Sequence, residues 1–172
     1  MPPKKGKGGK KKGKASLFTP EELEHFKNCY VGICKTHNQE PCEQLLHQLS
    51  DEEAKQEFTD TNQIFIVRDP TFGSAGTRAL ATAMLTGGTT GTPGDEVASV
   101  VTSAPPKPFN GILAIRIKSS RIGDDGLISL SEVARLGGAE CPFDLLELPD
   151  NEIGPRGCRS LGGALMVGAL MF

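Results

Sequence analysis

The chain has 172 residues, enough for one compact domain plus tails. Its 21 glycines, 12 prolines and single tyrosine suit a fold of many tight turns rather than a large aromatic core. The net charge of −2 hides an asymmetry: Lys4, Lys5, Lys7, Lys10, Lys11, Lys12 and Lys14 crowd the first 14 residues with no acid among them. Removing them leaves 12 basic against 21 acidic side chains, a body at about −9. Five cysteines, an odd number, with no secretory leader and no apolar run of membrane-spanning length, point to a reducing, intracellular setting.

Three regions are expected: a disordered Lys/Gly-rich tail over 1–15, a helical cap region over 16–60, and repeats over 61–172 with a loop insertion at about 86–108. The tail offers no apolar side chain after Met1 to offset the entropy of ordering. Residues 16–47 read as helical. Thr19, Pro20 and Glu22 supply an N-cap, a proline at the first helical position and acid in the first turn. Leu23, Phe26, Tyr30 and Ile33 follow at helical spacing. A second helix is predicted from near Glu40–Pro41, burying Cys42, Leu45, Leu46 and Leu49, and Ser50–Glu53 looks like the cap of a third running towards Phe58. From Ile64 to Val67 the period becomes strand-like. A helical pattern from about Ala75 to Leu85 precedes the turn-forming stretch 86–108.

Three segments then superimpose without gaps: FIVRDPTFGSAGTRAL from Phe65, IRIKSSRIGDDGLISL from Ile115 and LELPDNEIGPRGCRSL from Leu146. Each reads apolar-x-apolar-x-x-x-x-apolar-Gly-x-x-Gly-x-x-x-Leu. A strand, a turn allowed by the first glycine and a helix that the second lets approach its neighbour form a unit that must stack to bury its apolar face. The pattern resembles the leucine-rich repeats of the ribonuclease-inhibitor type. That resemblance implies an α/β fold, a short solenoid with parallel strands inside and helices outside, behind an N-terminal helical cap. Asn151 stands where that family has its turn-bonding asparagine; the alignment puts Pro70 and Ser120 there in the other two segments. Spacing is irregular, 31 residues from Ile122 to Ile153 but 50 from Phe72 to Ile122.

Chemical motifs fail on inspection. Gly8–Lys14 lacks the Ser/Thr of a phosphate loop, Ala15 standing in its place, and no strand precedes it. The loop Cys34–Gln39, where a calcium hand would place its ligands, offers no carboxylate. Cys29, Cys34, His37 and Cys42 match no common zinc spacing and read as structural thiols. Asp124–Asp125 and the Asp150/Glu152 pair fall at turns, where acids favour helix starts. No catalytic residues, metal or cofactor are expected.

The expectation is therefore a non-enzymatic interaction or scaffold subunit of a larger assembly. On the resemblance, partners dock on the concave strand face through Ile66, Arg68, Arg116, Lys118, Glu147 and Pro149. The last helix leaves Leu165, Met166, Leu170 and Met171 as an uncovered apolar contact. The lysines suit an anionic polymer, with tubulin and microtubules first and a cytoplasmic, cytoskeletal setting such as the cilium or flagellum axoneme. The alternative is a nuclear or nucleolar protein whose tail meets nucleic-acid phosphates; the tail has no aromatic side chains for base stacking.

Overall fold

In a computed structural model of the chain, residues 17–88, 108–137, 141 and 143–169 are described. Three helices come first. α1 (Pro20–Thr36) starts at a capping box: the Glu22 N–H donates to Thr19 Oγ1 while the Thr19 N–H donates to the Glu22 carboxylate at 2.7 Å. α1 ends just before Asn38, which takes a left-handed φ of 51°, ahead of the second helix expected from near Glu40–Pro41. α2 (Glu43–Ser50) and α3 (Glu52–Thr61) follow, α3 capped by Asp51, which accepts from the Ala54 N–H.

Three strand–helix units complete the chain: β1 (Gln63–Val67) with α4 (Gly73–Thr86), β2 (Ala114–Lys118) with α5 (Gly123–Gly137), and β3 (Leu145–Glu147) with α6 (Pro155–Ala169). The strands form one parallel sheet in the order β1-β2-β3. Ile64, Ile66, Ile115 and Ile117 point inward, where they join Leu80, Met84, Leu130 and Val133 in the core.

The expected leucine-rich-repeat solenoid is overturned. Among the described residues six helices accompany only three short strands, the last of three residues. The architecture is a helix-dominated α/β fold with a small parallel sheet. Two physical reasons account for the difference. First, α1–α3 are much more than an end cap: Leu23, Phe26, Tyr30, Leu45, Leu49 and Phe58 are among the most deeply buried side chains, and Phe26 stacks on Phe109 at 4.4 Å. Second, the first unit is out of step with the other two. The alignment matches Phe65 to Ile115, but the sheet pairs Ile64 with Ile115 and Ile66 with Ile117. One extra residue in the Pro70–Thr71 turn absorbs the difference.

That slip changes which residues share the turns. Left-handed backbone at Arg68, Ser119 and Asp150 is followed by the row Asp69, Ser120 and Asn151, so Asp69 rather than Pro70 holds the first position. The Asp69 N–H donates to Ser120 Oγ at 3.3 Å, and the Ser120 N–H donates to Asn151 Oδ1 at 2.9 Å. Asn151 Nδ2 in turn donates to the Ile117 and Pro149 carbonyls. Close helix approach depends on the second glycine in the second and third units. A Cβ at Gly126 would lie 3.3 Å from Thr77 of α4, and one at Gly157 would lie 2.8 Å from Asp124 of α5.

Candidate binding face

A parallel sheet is ordinarily covered on both faces, and here the outward row keeps access to solvent. Phe65, Arg116 and Glu147 lie side by side in register, and Phe65 is 55% exposed. Arg116 Nε sits 3.3 Å from a Glu147 carboxylate oxygen with both side chains partly solvated. The angle makes no hydrogen bond, so the contact is ionic only and contributes about 0–1 kcal/mol.

Beside this row the edge of β1 is closed by side chains. Gln44 and Gln48, one turn apart on α2, each use both ends of the amide. Gln44 Nε2 donates to the Val67 carbonyl and its Oε1 accepts from the Val67 N–H; Gln48 does the same with Phe65 at 2.6 and 2.9 Å. Two amides thus take the place of a neighbouring strand, which removes the bare edge that invites strand addition.

Between α2, α3 and the outward row lies a cleft of about 730 Å³. Phe58, Phe65 and Ala54 give it apolar surface; Glu43, Glu57, His47 and Arg116 give it charge. Because the β1 backbone is already bonded to Gln44 and Gln48, a ligand here meets side chains and no free strand edge.

The structure sorts the sequence-derived residues. Arg116 and Glu147 belong to the outward row, and Lys118, exposed, lies opposite Val67. Arg68 and Pro149 are exposed but sit in the turns past the strand ends. Ile66 is corrected: it is fully buried, because the one-residue slip turns it into the core and brings Phe65 out. Leu165 and Met166 are 59% and 68% exposed, and Val167, which the sequence reading missed, is exposed beside them. Leu170 and Met171 lie outside the described residues, as do Lys4, Lys5, Lys7, Lys10, Lys11, Lys12 and Lys14. Gln44, Gln48 and His47 were also missed. Their only signal is a polar helix flank, and what it faces is set by a strand about twenty residues further on.

A largely buried polar knot joins α1, the N-cap of α2 and the turn after β1. Tyr30 Oη accepts from the Cys42 N–H, and Cys42 Sγ donates to Asp69 at 3.3 Å. Burial pushes the Cys42 thiol up to about 12 and moves the Tyr30 hydroxyl up as well, so both stay protonated at neutral pH. Burial also pulls Asp69 upward, but hydrogen bonds from Thr71, Cys42 and Phe72 outweigh it and leave the carboxyl below its ordinary value. Among the described residues no three His, Cys, Asp or Glu side chains gather as a metal site, and no helix is long and apolar enough to cross a membrane.

No family model and no curated protein matches this chain. The face and its cleft therefore carry the functional reading on their own geometry.

Proposed function

We propose that this chain is a non-enzymatic protein-interaction subunit of a larger assembly, docking a partner on the open sheet face and the cleft beside it. The observation that carries the reading is the exposed Phe65 ring beside Arg116, with Glu147 beyond it, on a solvent-accessible row of a parallel sheet. An aromatic side chain next to an arginine, bordered by charge, is the usual make-up of an interface hot spot. Phe65→Asp leaves the core untouched and places a charge at the β1 end of that face. Quantitative affinity purification of the tagged full chain from its own cells should show a defined set of co-purifying proteins lost from the Phe65→Asp variant. An unchanged set at unchanged abundance contradicts the reading.

The lysine-rich start fits a second contact, with an anionic polymer. Acidic tubulin tails are the first candidate, and a cytoskeletal, axonemal setting follows from them. With the repeat resemblance overturned, that setting rests on the charge pattern alone. Microtubule co-sedimentation of the chain with and without residues 1–14, at low and high salt, is the check. Binding that does not change on removal of the tail rules it out as the contact, and a stronger salt-dependent preference for RNA favours the nuclear alternative.

A further inference from the structure

The cleft combines three properties. It has an exposed aromatic ring, Phe65; its walls carry Glu43 and Glu57, for which no salt bridge is found among the described residues; and it borders the point where the N-terminal segment enters the fold. Phe18 packs against Phe58 at 5.7 Å between ring centroids, and Phe58 is itself a wall of the cleft. A single side chain therefore separates the cleft from the start of the described chain. α3 adds to the acidity: Glu52, Glu53, Glu57 and Asp60 stand against one lysine, Lys55, and Glu24 on α1 lies close enough to Lys55 to feel its charge.

We propose that the lysine-rich segment over residues 4–14 docks in cis into this cleft and competes with the partners that the cleft and the tail would otherwise bind. The inference rests on reading the cleft as a binding site and assigns that site its own regulator. Charge complementarity comes from seven lysines against Glu43 and Glu57, while the cleft's own arginine, Arg116, is already paired with Glu147. A lysine ammonium over the Phe65 ring gains a cation–π contact on top of the carboxylate contacts. The interspersed Gly6, Gly8, Gly9 and Gly13 keep the segment thin. Reach is ample, since an extended chain covers about 3.3 Å per residue and residues 13–16 alone span roughly 13 Å. The contact has to be side-chain-mediated, because Gln44 and Gln48 already occupy the β1 edge. It is also a switch: an anionic polymer that takes the lysines frees the cleft, and a partner in the cleft frees the lysines.

The test uses the full chain with all seven tail lysines changed to glutamine, alongside a Glu43→Gln/Glu57→Gln variant, followed by backbone amide NMR. The lysine variant should shift the amides of Glu43, His47, Glu57 and Phe65, and 0.5 M NaCl should produce the same shifts in the unaltered chain. Glu43→Gln/Glu57→Gln should abolish the salt response at those positions. Its affinity for polyglutamate, used as the probe polymer, should rise roughly three- to tenfold, the factor expected if the free tail is populated about a tenth to a third of the time. Unmoved cleft amides, shifts confined to other acidic surfaces, or shifts that fade on dilution because the contact lies between molecules each overturn the proposal. None of these readouts needs a partner protein, so this contact can fail while loss of co-purifying proteins from Phe65→Asp still upholds the docking face.

Discussion

The first and third strand–helix units share one residue pattern, yet they differ in how deeply they pack and in how much they lean on polar contacts. β1 and α4 sink Ile64, Ile66, Phe72, Leu80 and Met84 into a core to which α1, α2 and α3 contribute Phe26, Tyr30, Leu45, Leu49 and Phe58. The third unit has no large side chain buried to that depth: in α6 the buried positions are Gly157 and Ala164, while Leu165, Met166 and Val167 face out. Its partly buried Leu146, Leu148 and Ile153 pack against the core at lesser depth, and polar clamps reinforce them. Asn151 bonds back to Ser120 and Ile117. Asp124 Oδ1 accepts the Gly154 and Gly157 N–H groups at 2.7 and 3.0 Å, so an acid of α5 caps the start of α6. Arg156–Asp125 and Arg121–Glu152 add exposed ion pairs. Deep packing therefore dominates one end of the sheet, hydrogen bonds supplement shallower packing at the other, and a substitution should act globally in the first region and more locally in the second.

The largest expected effect belongs to the packed end. Phe26 is fully buried and stacked on Phe109, so Phe26→Ala should cost about 3–5 kcal/mol and lower the denaturation midpoint followed by any probe. A loss confined to α1 would dissolve the contrast between the two ends. Next comes Asn151→Ala, which strips the Ser120 N–H of its partner inside the protein. A cost of about 1–3 kcal/mol is expected, read as lost amide protection in β3 and α6 with α1 and α4 unchanged. Asp124→Ala removes only the borrowed cap, and about 1 kcal/mol should go, again from α6 alone. Chemical denaturation paired with hydrogen exchange separates the two.

The smallest effect is a pH slope. The Asp69 carboxyl is held below its ordinary value of 3.8 in the folded protein. The stability it supplies is therefore complete above that unfolded value and is lost as pH falls through the lower folded one. Asp69→Asn should remove this part of the acid dependence below about pH 4 while leaving the rest, as measured by urea midpoints across the acid range.

How much of this was legible in the sequence depended on distance along the chain. The caps at Thr19 and Asp51 were, because each is a contact over three residues. So was the spacing of Gly126 and Gly157, since a missing Cβ where helices meet leaves a fixed interval. The register of the first unit was not. Ile64, Phe65, Ile66 and Val67 are all apolar, so the period of two gives no sign of which pair faces in, and the extra turn residue escapes an apolar template. The cleft was equally hidden, because Gln44 and Gln48 find their partners on a strand seventeen to twenty-three residues away. The weight of α1–α3 in the core escaped too: their buried stripes were visible, but their burial against α4 and Phe109 is a matter of topology.

Native-state hydrogen exchange on the unaltered chain tests the contrast between the two ends most directly. Amides of β3 and α6 should exchange through local openings well below the global unfolding free energy, while those of α1 and α4 exchange only with global unfolding. Equal opening free energies at both ends would contradict the account.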